Sequence, residues 1–114
     1  MNISLSTIEK GDSERLILIT AVGLLESLEK NILTIEDCEQ YLFSPYTVEV
    51  LKQKQADEKV IQIIDKGLYL EDYESLLPDE MLKYTKSLKQ EALELIKSRE
   101  VPKDVYDIKK WIDD

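Results

Sequence analysis

The sequence predicts an all-α protein, a compact irregular bundle of five or six helices around one buried central helix. Three observations carry that prediction. Leu, Ile, Glu, Lys and Asp dominate a composition that favours helices. Three Gly and three Pro in 114 residues are too few for a turn-rich β domain. Apolar residues recur at spacings of three and four along most of the chain. The length suits a single domain over residues 1–114, able to bury one core.

Residues 1–11 are weakly patterned; Ile3, Leu5 and Ile8 fit either a short extended arm or a helical turn. Asp12 or Ser13 is the expected N-cap of the first helix, with Glu14 placed where a carboxylate suits the helix dipole. That helix runs to about Lys30. Its Leu16, Ile17, Leu18, Ile19, Ala21, Val22, Leu24, Leu25 and Leu28 are so nearly continuous that burial on most sides is expected. Gly23, inside it, is read as the close approach of a neighbouring helix.

Asn31 is the expected left-handed residue closing this helix. Thr34 then caps a short second helix, with Asp37 completing a carboxylate form of the capping box. Ile35, Cys38, Tyr41 and Leu42 share its inward face, and Glu36, Asp37, Glu39 and Gln40 the other. Ser44-Pro45 opens a third helix that carries Val48, Leu51 and Val50 inward. Lys52 to Lys59 is a solvated helical stretch or a break near Asp57. Val60, Ile61, Ile63 and Ile64 then form another stripe, ending at Gly67.

At this point the chain nearly repeats itself. Gly67 takes the place of Asn31, Leu70-Glu71-Asp72-Tyr73-Glu74 that of Ile35-Glu36-Asp37-Cys38-Glu39, Leu76-Leu77 that of Tyr41-Leu42, and Pro78 that of Pro45. Each copy reads as helix, left-handed cap, short acidic helix, proline, next helix. The offset is 35 residues at the acidic box but 33 at the prolines. A solenoid needs three or more units, so two unequal copies fit a compact bundle better. Pro78 opens a long helix to about Arg99, with Met81, Thr85, Leu88, Ala92 and Leu95 inward, widened by Leu82 and Ile96; Lys83, Lys86 and Lys97 lie on its polar side. After Val101-Pro102, a last amphipathic helix places Val105, Ile108, Trp111 and Ile112 on one face, and Trp111 docks this tail on the body.

The net charge is −9. Residues 1–60 carry 6 basic and 11 acidic groups, and residues 61–114 carry 9 and 13, so the charge reads as spread along the chain rather than as an acidic tail. Such a surface repels phosphate backbones, so nucleic acid is not an expected partner. The longest apolar run, Leu16 to Leu25, is about half a membrane span, and no signal peptide is visible. A lone cysteine fits a reducing compartment, so a cytoplasmic protein is expected.

The absence of histidine removes the commonest general base, the Ser–His and Cys–His dyads and the commonest zinc ligand. One cysteine cannot build a structural zinc site. No P-loop, GxGxxG fingerprint or EF-hand loop is present. Neither cofactor nor catalytic residue is therefore expected. The carboxylates that recur are Glu36, Asp37 and Glu39 and then Glu71, Asp72 and Glu74. Their ordinary role is helix-start electrostatics; a divalent cation held between the two boxes is the competing chemistry. Cys38, on an apolar helix face, reads as a small core residue. Tyr41, Phe43 and Tyr46, and then Tyr69 and Tyr73, form either a satellite core under the two turns or an aromatic contact patch.

The stretch GLLESLEKNILTIEDCEQYLFSPYT (residues 23–47) resembles the hallmark segment of a family of small acidic bacterial proteins known only as a domain of unknown function. The likeness is strongest over residues 16–47. It implies a bacterial cytosolic setting and no reaction. Size and charge alone also resemble immunity proteins that neutralise toxins.

The expectation is thus a non-enzymatic protein-interaction module of acidic surface. Glu36, Asp37, Glu39, Tyr46, Glu71, Asp72 and Glu74 are its candidate contact residues, and a protein partner or a second copy its occupant. A small metal-dependent enzyme using the paired boxes, and an immunity protein or structural subunit meeting a basic partner, are the alternatives.

Overall fold

A computed structural model describes residues 1–6, 10–99 and 111–113. The first long helix, α1 (Lys10–Glu29), begins ahead of the expected cap at Asp12 or Ser13. It ends as expected at Asn31, whose φ of 59° is left-handed. The amides of Ile32 and Leu33 both return to the Ser27 carbonyl, closing the last turn.

The two copies of the short phrase form α2 (Ile35–Tyr41) and α5 (Leu70–Leu76). Between them lie α3 (Pro45–Gln53) and α4 (Glu58–Gly67). Of the two alternatives for Lys52 to Lys59, a solvated helical stretch or a break near Asp57, the structure has the break: Gln55 takes a left-handed φ of 57°, and the Asp57 side chain caps α4 by accepting from the Lys59 amide. Beyond α5, Pro78–Glu80 makes a single 3₁₀ turn that feeds α6 (Met81–Ser98).

The architecture is all-α, with a different emphasis from the expected bundle. Four helices, α1, α3, α4 and α6, exceed eight residues, whereas α2 and α5 are seven-residue connectors. The frame is the antiparallel pair α1 and α6, the most extensive interface among the described residues. Leu18, Ala21, Leu25, Leu88 and Ala92 lie buried there and in the adjoining core with Ile35, Phe43, Val60, Ile64 and Leu70.

α1 is not wrapped on most sides. Ile19, Thr20 and Gly23 are exposed, and the hydroxyls of Thr20 and Ser27 fold back onto the Leu16 and Gly23 carbonyls along the same stripe. Among the described residues no helix covers that side. Gly23 accordingly has open space where a Cβ would stand, so it is not a close-approach glycine. That role belongs to Gly67. A Cβ there would collide with the Phe43 ring, and Gly67 is not left-handed as the parallel with Asn31 predicted. The ring of Phe43, not backbone reversal, is what requires glycine at this position.

Polar side chains join the frame at both ends. Lys89 Nζ bonds Glu26 and Glu29 at 2.6 Å each, with Lys86 3.8 Å from Glu29. At the other end Arg99 reaches Glu14 (2.8 Å) and Asp57 (3.1 Å), while the buried Glu14 also accepts from the Asp57 amide. The start of α1, the cap of α4 and the end of α6, far apart in sequence, are thereby tied by a charge-assisted network.

Among the described residues the one extended feature is a two-residue strand pair, β1 (Ser4–Leu5) and β2 (Ile112–Asp113), antiparallel with Leu5 opposite Ile112. The Ser6 amide donates to the Trp111 carbonyl. This corrects the expected terminal helix at its end: Ile112 lies in a strand and is exposed, while Trp111 is half-buried. Backbone pairing with residues 4–6 satisfies polar groups that a helix would satisfy internally. The expected positions of Ile8, Val105 and Ile108 fall outside the described residues.

Candidate functional site: an acidic face at the two connectors

In α2 the sequence builds its own start. The Thr34 hydroxyl accepts from the Asp37 amide (3.1 Å), and the Asp37 carboxylate accepts from the Thr34 amide (2.9 Å), closing the predicted capping box. Ile35, Cys38 and Leu42 turn inward. Cys38 donates weakly to the Leu24 carbonyl (3.8 Å), and burial pushes its thiol up to about 11, helped by Asp37 and Glu39. A thiol held neutral is a packing group rather than a nucleophile. Phe43 follows, fully buried against Gly67. That contact draws the end of α2 to the end of α4, where α5 begins.

The two acidic boxes consequently meet at one pair. Burial raises the Glu39 pKa, and the neighbouring carboxylates of Glu71 and Glu36 raise it further. Glu36, Glu71, Asp72 and Glu74 are exposed, while Asp37 is occupied in its cap. Tyr46 is 78% exposed, and Tyr41, expected on the inward face, is 73% exposed. Of the aromatics around the first turn only Phe43 joins the core. Around the second, Tyr69 is exposed, whereas Tyr73 stacks on Tyr84 with ring centroids 4.0 Å apart. The Tyr84 hydroxyl donates to the Lys66 carbonyl at 2.6 Å, and burial is the main reason its pKa is pushed up to about 12. The aromatics therefore divide, with Phe43 and Tyr73 packed and Tyr41, Tyr46 and Tyr69 exposed.

Counting charge by halves of the chain conceals how it is placed. Residues 31–51 contain Glu36, Asp37, Glu39 and Glu49 and no Lys or Arg; residues 67–82 contain Glu71, Asp72, Glu74, Asp79 and Glu80 and again no Lys or Arg. These nine carboxylates equal the entire net charge of −9, and the other 15 acidic residues are matched by 15 Lys and Arg. The excess is localised in the two connectors and their continuations, not spread. Each half of the chain holds one connector, which is why the halves look alike.

Apolar surface accompanies the charge. Tyr69, Leu76, Leu77 and Leu82 are all more than half exposed. Leu82 was expected to widen the inward stripe of α6; it is 51% exposed, while its neighbour Met81 packs against the core and Thr85 is buried. Sequence reasoning missed this patch because leucine at helical spacing reads as core.

Among the described residues no three Asp, Glu, Cys or His side chains gather so as to hold a metal ion; Glu39 of the first box feels the charge of Glu71 of the second. Elsewhere, a shallow groove runs between α4 and α6, lined by Lys59, Ile63, Lys66, Glu91 and Leu95. Lys66 spans it, bonding both oxygens of Glu91 at 3.0 Å. No described helix is long and apolar enough to cross a membrane.

Comparison with known proteins adds one relation. No curated protein and no solved structure matches the chain. A family described as a protein of unknown function, DUF3969, matches residues 8–113, well beyond the segment that first carried the likeness. With nearly the whole sequence inside that match, the chain belongs to the DUF3969 family.

Proposed function

We propose that the protein is a binding module, not an enzyme, whose connector face captures a basic protein partner in the cytoplasm. The observation that carries this reading is the placement of charge: the whole excess of −9 lies in two stretches free of Lys and Arg, joined where Glu39 meets Glu71. Among the described residues none of these nine carboxylates is in an ion pair, and carboxylates held together repel one another until a cation arrives. Exposed Tyr41 and Tyr46 beside them supply the amphipathic contact area that protein interfaces favour. The absence of histidine and the neutral, buried Cys38 leave the face without a customary nucleophile–base pair.

The test is affinity purification from the native cell, coupled to mass spectrometry, with two charge-reversal variants run in parallel. One carries Glu36→Lys and Glu39→Lys, the other Glu71→Lys and Glu74→Lys; Asp37 is spared because it closes the cap of α2. Proteins lost from both variants should be basic, and their capture by the parent protein should fall as salt rises. An identical set captured by parent and variants would remove the acidic face from the function.

A further inference from the structure

We propose that the corner formed by α5, the 3₁₀ turn and the start of α6 is the seat of a Lys/Arg-rich amphipathic helix of the partner. The proposal rests on the binding-module reading and adds the partner's shape and chemistry to it. Tyr69, Leu76, Leu77 and Leu82 stand exposed within fourteen residues; of the counterparts of Leu76 and Leu77 in the first connector, Tyr41 is exposed as well but Leu42 is buried, with Phe43 beside it. Of the residues of α5 itself, Leu70 alone is fully buried. Apolar side chains on a short, otherwise charged segment carry a standing cost in water, relieved when a partner covers them.

Charge decides the occupant. Glu71, Asp72, Glu74, Asp79 and Glu80 surround these apolar residues in sequence without one Lys or Arg. A second copy docked about a two-fold axis would set that anionic segment against itself. An anionic lipid surface would be repelled for the same reason. A helix with leucine-like residues on one face and Lys or Arg along its borders satisfies both demands at once: its apolar stripe covers the leucines, and its flanks meet the carboxylates.

The probe is a fluorescent helical peptide of Leu and Lys, about four turns long with its leucines on one face, titrated with the full chain by anisotropy. An oligolysine of equal charge and a Leu/Glu peptide of the same pattern serve as comparisons. The Leu/Lys peptide should bind about tenfold or more tightly than oligolysine, and Leu76→Ser with Leu77→Ser should abolish that advantage. Ile19→Ser, at an exposed apolar residue of α1, should leave it unchanged. All three positions are solvent-facing, so these variants keep their fold, checked by circular dichroism. Equal binding of the two lysine peptides, or no response to the leucine changes, overturns the helix seat; if charge reversal at Glu71 and Glu74 still weakens both peptides, the acidic-face reading survives it. A concentration-dependent dimer that Leu76→Ser and Leu77→Ser dissolve would instead assign the corner to a second copy and overturn the proposal.

Discussion

Helices α2 and α5 have the same length and nearly the same lettering, IEDCEQY against LEDYESL, yet they stand in opposite relations to the core. In α2 the chain reverses through left-handed Asn31 and restarts at a capped Thr34. Around α5 there is no reversal: Leu68 and Tyr69 both keep helical backbone angles, and Tyr69 makes no side-chain cap. The chain enters α5 almost as a bent continuation of α4. A ring also stands where a thiol would be. Cys38 fits beneath α1 against Leu24, whereas Tyr73 stacks on Tyr84 of α6. Similar sequence thus yields one connector sunk in the core and one leaning on its edge. The difference arises from the residues just before the phrase and from one side-chain volume within it.

The sharpest way to break this comparison is at the paired leucines. Leu42 is 7% exposed and Leu77 53%. Leu42→Ala should cost about 2–4 kcal/mol, since it deletes buried methyl groups and leaves a cavity. Leu77→Ala should stay within about 0.5 kcal/mol, as exposed substitutions do. Urea unfolding followed by circular dichroism measures both, and equal losses would mean that α5 is as buried as α2.

Next in size are the glycines. Gly67→Ala should cost about 1–3 kcal/mol, because the new methyl meets the Phe43 ring and the core must shift. Gly23→Ala should stabilise by about 1 kcal/mol, since it adds helix propensity where nothing stands nearby. Opposite signs for the two substitutions in thermal unfolding are the expected outcome. The cap comes after these: Thr34→Ala should cost about 1 kcal/mol, while Tyr69→Ala has no cap to lose and should show only the smaller effect of trimming an exposed ring. A loss at Tyr69 matching that at Thr34 would restore the equivalence of the two starts.

Much of this frame was legible from short-range chemistry. Thr34 with Asp37, Ser44 with Pro45 and left-handed Asn31 each depend on residues within a few positions of one another, and the structure has each as expected; near Asp57 the sequence leaves helix and break open, and the structure has the break. What escaped depends on distance. Nothing in the surroundings of Gly67 announces Phe43, and nothing near Glu14 announces Arg99, 85 positions away. Gly23 and Gly67 were interchanged because a glycine's neighbour in space is not written beside it. The exposure of Leu76, Leu77 and Leu82 was hidden because a helical stripe shows which residues share a face, not whether another helix arrives to cover it. The acidic face lay in view in a different sense: the two cation-free stretches are plain in the sequence, but their meeting at Glu39 and Glu71 follows from the long-range contact of Phe43 with Gly67.

The smallest expected effect tests that meeting directly. Burial and the Glu71 and Glu36 carboxylates raise the pKa of Glu39 in the folded protein. A raised carboxyl favours folding most when it is protonated, so this contribution is full below the ordinary glutamate range and is lost as pH climbs through the raised value. Glu29 and Asp57 behave oppositely. The hydrogen bond from Lys89 lowers Glu29, and the Lys59 amide, followed by Arg99, lowers Asp57; their contributions are present above the ordinary carboxylate range and are lost as pH falls through the lowered values. Glu39→Gln or Glu71→Gln should therefore stabilise the protein by about a few tenths of a kcal/mol at neutral pH, the scale of a surface charge pair. The gain from Glu39→Gln should shrink as pH falls through the raised Glu39 value, where the parent carboxyl takes up a proton. The double substitution should gain less than the two single gains together, because either one already removes the same repulsion. Strict additivity at neutral pH would place the two carboxylates apart and separate the connectors that the proposed face requires to be joined.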